Sequence, residues 1–278
     1  MKRIINFAIA CMFAQTSLGQ QISGTVFEVN SEIPVEYANI GIFGKNTGTC
    51  SDQNGKYTLQ INPEHHSDTL IFSCIGYHTY SVKVSDFINQ NNGNVSLEKR
   101  TYDISEVVIR PRKIKQKELG NTPRNQIMIV CFPLKNYQGG GYELGVLMSN
   151  KKTAFIKEVN LDVERCTYDT VFLRINIYQV HKKRKNEFEN ILSSPIYLNL
   201  SKEEVKDKIT VDLRHLNLVV EGDFLVTIEY VKDLGTGKIC FRSGLLFAGT
   251  SYGRSTSHGT WGKWPVGIGL SAEVDVEK

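Results

Sequence analysis

"GTCSDQNGKYTLQI", residues 48–61, joins a turn signal to a strand signal. Asp52, Asn54 and Gly55 are residue types that close tight turns, through side-chain bonds to the backbone and a left-handed glycine. Apolar side chains then alternate along one face, as a half-buried antiparallel strand requires. They are Tyr57, Leu59 and Ile61. The stretch therefore predicts a β-hairpin.

The same stretch also begins like a calcium loop, because an Asp and an Asn precede a Gly within a few residues. An EF-hand loop counted from Asp52 needs a bidentate Glu at its twelfth position, which is Pro63 in this chain. The helices that flank such a loop are also missing from the pattern. We therefore expect a turn without a metal, and no other motif calls for a cofactor.

Short alternating segments continue on both sides of this hairpin, from Gln21 to Leu97. Gly, Asn, Asp and Pro separate them at intervals of roughly 10 to 15 residues, which is typical of an all-β sandwich. The segments are "ISGTVFEV", "YANIGIF", "GKYTLQI", "TLIFSCI", "HTYSVKV" and "NVSL".

Four motifs in this region occur in the order found in a known family. They are "ISGTV" (22–26), "IPVEYANIGI" (33–42), "GTCSDQNGKYTL" (48–59) and "LIFSCIGYHTYSV" (70–82). Residues 21–98 resemble the carboxypeptidase regulatory-like domain, a transthyretin-like β-sandwich common in exported Gram-negative proteins. The resemblance implies a seven-strand sandwich over residues 20–98 that is non-catalytic despite its name.

The segment "YDISEVVIRPRK" (102–113) resembles the one that follows this domain in TonB-dependent outer-membrane transporters. No plug and no long series of barrel strands follows here, so transport by this chain is not expected. The resemblance implies a role beside such outer-membrane machinery.

Residues 1–19 have the pattern of a signal peptide: Lys2 and Arg3, an apolar run and small residues before Gln20. The run is too short for a transmembrane helix, and Cys11 lacks the usual context of a lipidated cysteine. We expect an exported chain in the periplasm or at the outer membrane or cell surface, without a transmembrane segment. Loss of Lys2 and Arg3 lowers the net charge from +4 to +2, which gives no reason to expect nucleic acid as a partner.

Residues 99–125 change character, with a last strand followed by five basic residues and two prolines, and we interpret them as a basic interdomain linker. From residue 126 to 278 about nine alternating segments favour a second, jelly-roll-like sandwich. The only helical signal lies at 201–208, where Ser201 and Glu204 fit a capping box. The five cysteines that follow the predicted signal peptide, without a CxxC motif, predict buried core residues with at most a pair or two bridged.

No catalytic set emerges from the motifs. No His-x-x-Glu is present, as a zinc peptidase would need. "GTSYG" (249–253) matches a nucleophile elbow around Ser251, but no helix follows it. We therefore do not expect an enzyme.

The best candidate for a binding site is the loop that holds both tryptophans of the chain. Aromatic faces beside polar groups suit stacking on a sugar ring or a peptide. The alternative is that both tryptophans cover the end of the core. The candidate residues are Tyr252, Arg254, His258, Trp261 and Trp264.

The sequence as a whole predicts a non-catalytic envelope protein that binds or assembles with a protein or glycan partner. A hydrolase carried by the second domain and a purely structural envelope protein remain as alternatives.

Overall fold

The computed structural model describes residues 19–90, 92–101, 113–122, 128–132, 140–181, 188–244, 251–264 and 267–277. The chain is all-β, as the sequence predicts, with 57% strand against 5% helix. Two separate hydrophobic cores divide the strands into two sandwiches. The predicted signal peptide lies outside the described residues except for Gly19.

Seven strands form the first sandwich, in a three-stranded sheet of order β4-β1-β7 and a four-stranded sheet of order β3-β2-β5-β6. All neighbours are antiparallel except β1 and β7, which run parallel. The strands are β1 (Gln20–Glu28), β2 (Asn39–Ile42), β3 (Gly48–Cys50), β4 (Lys56–Ile61), β5 (Thr69–Ser73), β6 (Tyr80–Lys83) and β7 (Val95–Leu97).

The turn before β4 forms as the sequence predicts. The Asp52 carboxylate accepts hydrogen bonds from the backbone N–H groups of Asn54 (2.8 Å) and Lys56 (2.9 Å). Gly55 adopts the left-handed conformation, with φ of 72°. Along β4 the alternate side chains Tyr57, Leu59 and Ile61 are buried. Asp52 therefore closes a tight turn, but the predicted β-hairpin does not form, because β3 pairs with β2 in one sheet and β4 pairs with β1 in the other.

Helical structure does not lie where the sequence predicts it. A helix, α1 (Val84–Asn89), follows β6 and buries Val84 and Phe87, which are one turn apart. In the predicted segment 201–208 the Glu204 carboxylate does accept from the Ser201 N–H at 2.8 Å. A turn without a helix forms there, because this segment has no apolar face to bury.

The second sandwich has two seven-stranded sheets. One has the order β13-β12-β17-β10-β19-β20, with β14 also on β12, and the other has β8-β21-β11-β18-β9, with β15 and β16 on β11. The strands are β8 (Ile114–Asn121), β9 (Met128–Phe132), β10 (Tyr142–Met148), β11 (Thr153–Cys166), β12 (Thr170–Val180), β13 (Phe188–Asn190), β14 (Ile196–Ser201), β15 (Lys208–Asp212), β16 (Val219–Glu221), β17 (Phe224–Tyr230), β18 (Ile239–Ser243), β19 (Ser251–Arg254), β20 (Gly262–Trp264) and β21 (Leu270–Glu277). Short 3₁₀ turns occur at Pro63–His65 and Arg214–Leu216.

The structure differs from the prediction in the segment 99–125, which we interpreted as a linker. Residues 114–121 form β8, which pairs with the whole of β21. Most of β8 is exposed and lysine-rich, so its side chains give no strand signal. Its backbone pairing with β21 places it in the second sandwich, and residues 102–112 lie outside the described residues.

One disulfide joins Cys131 of β9 to Cys240 of β18, and these two residues are direct neighbours in the antiparallel register. Cys50, Cys74 and Cys166 are free. No helix in the described part of the chain is long and apolar enough to cross a membrane.

Candidate functional site

The two sandwiches meet on a row of charged residues that crosses four neighbouring strands. In the register, Arg174 of β12 lies opposite Glu229 of β17, Glu229 opposite Glu143 of β10, and Glu143 opposite Arg254 of β19. We call these four residues the charge row. All four lie on the face of the sheet that is turned away from the core of the second sandwich and toward the first.

Arg174 ties the row to the first sandwich. Its side chain is 1% exposed and donates to Glu229 Oε2 from Nε (2.9 Å) and Nη2 (2.8 Å). Nη1 donates to the Tyr37 carbonyl at 2.8 Å, and Nη2 also donates to the Asn39 side-chain oxygen. The amide of Asn39 in turn donates to Glu229. Such complete pairing is what a buried guanidinium needs to offset its desolvation.

Glu143 and Arg254 form the other half of the row. Arg254 donates to Glu143 Oε2 from Nε (2.8 Å), and Nη2 lies 2.7 Å from the same oxygen. The second oxygen of Glu143 accepts from the Tyr178 hydroxyl (2.8 Å) and from Asn176 (2.9 Å). The Asn176 amide also donates to Glu229 at 2.7 Å, so it separates the two carboxylates that lie side by side.

The two glutamates have different electrostatic surroundings. Burial by itself raises the pKa of Glu229, but the guanidinium groups of Arg174 and Arg254 outweigh it and hold the pKa below the usual value. Burial and the neighbouring Glu229 together raise the pKa of Glu143 despite its contact with Arg254. The arginines therefore stabilise the ionised form of Glu229, at the end of the row that contacts the first sandwich, more strongly than that of Glu143.

A loop of the second sandwich, residues 255–260, docks on the hairpin between β2 and β3. Gly44 N–H donates to the His258 carbonyl at 2.9 Å, and the Thr260 hydroxyl donates to the Gly44 carbonyl at 2.8 Å. The Ser257 carbonyl would lie 2.2 Å from a Cβ at Gly41. This close approach requires glycine in the hairpin, so the loop is part of the domain interface.

A small aromatic cluster extends the same interface. Tyr37 of the first sandwich packs on Phe172 and Tyr197 of the second, with ring centroids 5.1 and 5.5 Å apart. Tyr37 and Phe172 are both buried. Apolar and polar contacts thus hold the two sandwiches together.

His258 belongs to this interface. Its Nε2 lies 3.2 Å from the Ser73 hydroxyl and 3.3 Å from the Asn39 carbonyl. Burial and the nearby Arg254 lower the pKa of the imidazole from 6.5 to about 3. His258 is therefore neutral in the folded protein at neutral pH.

We expect the interface to weaken in mild acid because of His258. Below pH 6.5 the imidazole of His258 takes up a proton in the unfolded chain, whereas in the folded chain it stays neutral down to about pH 3. The free energy of unfolding therefore falls as the pH falls. The free energy of unfolding changes by at most about 1.4 kcal/mol per pH unit through this group. Urea denaturation at pH 7.0 and 5.5 measures it.

His258→Asn is the matched variant, because φ at this position is 59° and Asn tolerates the left-handed conformation. We expect its stability to change less than that of the native chain between pH 7.0 and 5.5. An equal pH dependence in both chains would contradict this role of His258.

Four aromatic rings cluster at the end of the charge row beside Arg254. Trp261 packs edge to face on Phe188 (5.1 Å between centroids) and Tyr178 (5.7 Å), and Phe188 packs on Tyr252 (5.2 Å). The Arg254 guanidinium lies 4.8 Å from the Trp261 ring centroid, within the range of a cation–π contact. We call Tyr178, Phe188, Tyr252 and Trp261 the aromatic cluster.

A cleft of about 280 Å³ opens between the sandwiches next to this cluster. Its floor is formed by Asn176 and by three members of the charge row, Arg174, Glu229 and Arg254. One wall is formed by residues 73–77 and Thr79 of the first sandwich and by Arg100, which follows β7. The other wall is formed by Phe188, Glu189 and Asn190 of β13. A polar, half-enclosed cleft at a domain junction is a common place for a ligand.

The structure separates the five predicted site residues into two groups. Tyr252, Arg254 and Trp261 belong to the aromatic cluster or contact it, and Trp261 is partly exposed. His258 lies in the domain interface and, like Arg254, lines the cleft, whereas Tyr252 and Trp261 adjoin the cleft through their contacts with Phe188. Trp264 is the last residue of β20, opposite Ser251, and its side chain lies outside the described residues.

Sequence reasoning missed the charge row, although a signal was available. Glu143, Arg174 and Glu229 each stand alone in an otherwise apolar strand, within "YELGVLM", "FLRINIY" and "FLVTIEY". A lone charge in each of three buried strands indicates that they compensate one another.

Other reactive side chains are occupied or buried. The Ser251 hydroxyl is buried within β19, at 3.4 Å from the Ile268 N–H that donates to it. Burial raises the pKa of Cys50 to about 12 and that of Cys74 to about 11, so both thiols stay protonated. Within the described ranges, no group of three His, Cys, Asp or Glu side chains could hold a metal ion.

Residues 22–109 match the family model of the CarboxypepD_reg-like domain. The first sandwich is a CarboxypepD_reg-like domain. The predicted resemblance over residues 21–98 is thereby confirmed. This domain is of a non-catalytic, regulatory type, and here it supplies one wall of the cleft and the Tyr37 and Asn39 contacts to the charge row.

Similarity to other known proteins is weak. No curated protein matches the chain. The cysteine protease and lectin-like domains of Cwp84 of Clostridium difficile share 9% identity over 94% of this chain and 59% of that one, with a TM-score of 0.37. The infectious bursal disease virus Gx strain structure shares 8% over 92% and 63%, with a TM-score of 0.23. The chain thus spans about three fifths of these structures, and scores this low carry no argument.

Proposed function

We propose that this protein is a non-catalytic binding or assembly module of the cell envelope, and that the interdomain cleft holds part of a protein or glycan partner. The observation that carries the proposal is the cleft itself. Two domains with separate cores are joined by a fully paired charge row, and a ligand-sized space opens beside their junction.

The hydrogen bonds that occupy the two glutamates of the charge row favour binding over catalysis. A general acid or base needs a carboxyl group within reach of the substrate and free to exchange its proton. Glu143 and Glu229 instead accept bonds from Arg254, Arg174 and Asn176. A hydrolase in the second sandwich would therefore need residues elsewhere. A purely structural role is the outcome if no partner binds.

Export fits the covalent structure of the second sandwich. Disulfides persist in oxidising compartments and are rare in the cytosol. The bond between Cys131 and Cys240 therefore supports a periplasmic or cell-surface location. An association with TonB-dependent outer-membrane machinery rests on the resemblance of residues 102–113 alone.

The aromatic cluster offers the direct test of the cleft. We expect Phe188→Ala/Trp261→Ala to retain at least tenfold less of the partner than the native chain in a capture experiment from envelope extract. Phe188 lines the cleft, Trp261 supports it, and buried aromatic anchors often dominate binding energy.

Ile129→Ala is the control for this test, because Ile129 is 45% exposed and lies on β9 of the opposite sheet. Circular dichroism confirms that each variant is folded. Equal retention by the native chain and the aromatic variant would contradict a site at the cleft. Retention by none of the three chains would favour a structural role.

A further inference from the structure

We propose that the cleft binds an acidic sugar unit, with Arg100 pairing the sugar carboxylate. This inference rests on the proposed binding function and names the class of ligand. It depends on which charges around the cleft are already compensated by the protein.

Arg100 is a cation of the cleft that forms no ion pair with the residues that the structure describes. It lines the cleft and its side chain is exposed. Its backbone N–H donates to the Gly76 carbonyl at 2.8 Å, which fixes its position against the wall. Its neighbour Lys99 pairs with Glu28 at 2.7 Å, whereas no carboxylate among the described residues pairs with Arg100.

The other two arginines of the cleft, Arg174 and Arg254, are paired with carboxylates. The charge row contains two arginines and two glutamates in contact with each other. Glu189 on the opposite wall is 2.9 Å from His181 and is exposed. Among the described residues that line the cleft, Arg100 is therefore the cation available to an incoming carboxylate, and an arginine can bind a carboxylate through two parallel hydrogen bonds.

The remaining walls suit a sugar ring. Phe188 provides an aromatic face at one side, and apolar faces of sugar rings pack on such surfaces. Thr79 and Asn190 line the cleft on opposite walls. The Asn190 amide donates to Asn176 and accepts from the Leu192 N–H, and it keeps a second N–H and a second lone pair for a sugar hydroxyl. A volume of about 280 Å³ lies at the lower end of ligand pockets, which fits one ring better than a longer segment.

The test compares an oligogalacturonate with the same oligosaccharide methyl-esterified at its carboxylates, by titration calorimetry on the full chain. We expect the native chain to bind the acid at least tenfold more tightly than the ester. Arg100→Gln should remove this preference and leave the weaker binding of the ester unchanged.

Arg165→Gln is the matched control, since Arg165 is exposed on β11 of the opposite sheet and its loss changes the net charge equally. An equal loss in this variant would show a nonspecific charge effect and overturn the inference. So would equal binding of acid and ester, or binding only of a peptide with a free C-terminal carboxylate. If the acidic-sugar inference fails in one of these ways, the proposed binding function still stands provided that Phe188→Ala/Trp261→Ala loses the partner captured by the native chain. If that variant keeps the partner, both the inference and the proposed function fail.

Discussion

Arg174→Met is expected to lower the free energy of unfolding by about 3–5 kcal/mol. The substitution leaves the carboxylate of Glu229 buried at 1% exposure without its guanidinium partner. It also removes the donors to the Tyr37 carbonyl and the Asn39 side chain, so the contact with the first sandwich is lost at the same time. Urea denaturation followed by circular dichroism measures the change.

A second substitution separates a broken pair from a general packing defect. In Arg174→Met/Glu229→Leu both charges are gone, and we expect more than half of the lost stability to return, because apolar residues often replace a buried ion pair without net cost. Asn39 and Asn176 still lose partners, so full recovery is not expected.

Arg214→Met serves as the matched control for the same chemistry at the surface. Arg214 contacts Asp212 at 2.6 Å, but both side chains are more than half exposed. Exposed pairs contribute about 0–1 kcal/mol, so this variant should unfold almost like the native chain. If Arg174→Met and Arg214→Met lost the same small amount, the charge row would not hold the interface.

Removal of the disulfide is expected to cost about 2–5 kcal/mol. The bond closes a loop with a sequence separation of 109 residues, which reduces the freedom of the unfolded chain. It also ties β9, an edge strand, to β18. Cys131→Ser/Cys240→Ala in urea denaturation tests this expectation.

The free Cys166 provides the comparison for the disulfide. It lies at the end of β11 and is partly exposed. Cys166→Ser should change the free energy of unfolding by less than about 1 kcal/mol. The native chain treated with a reductant should reproduce the double cysteine variant. An unchanged stability after reduction would show that the bond does not constrain the chain.

The first sandwich could be predicted in detail because its signals are local. Asp52 and Gly55 define the turn, and the burial of Tyr57, Leu59 and Ile61 follows from their alternation. The helix at residues 84–89 could not be predicted, because Val82 and Val84 continue the strand alternation of the preceding segment. Phe87, buried three residues after Val84, was the helical signal.

The lone charges in three apolar strands indicate that they compensate one another, but the partner domain could not be predicted, because a polar strand face looks the same whether water or another domain covers it. Arg174 and Asn176 alternate with buried Ile175 and Ile177, as on any half-solvated strand. Only the cross-strand register brings Arg174 to Glu229 and Glu143 to Arg254. The pairing of Cys131 with Cys240 depends on the same long-range register.

The sequence singled out some of the residues that the structure brings together near the cleft, and their role in binding stays a prediction. Trp261, Tyr252 and Arg254 lie together at the end of the charge row, near the cleft. Phe188 and Arg100 join them from segments far apart in sequence, so no local pattern links them. His258 lines the cleft, and its loop is also covered by the β2–β3 hairpin, a domain contact that the sequence did not predict.

Capture from envelope extract tests the central claim, a binding site at the interdomain cleft, most directly. The native chain, Phe188→Ala/Trp261→Ala and Ile129→Ala are compared at equal concentration, and the retained component is quantified for each. The account predicts that the native chain and Ile129→Ala retain the same component and that the aromatic variant retains at least tenfold less. Equal retention by all three chains would contradict it.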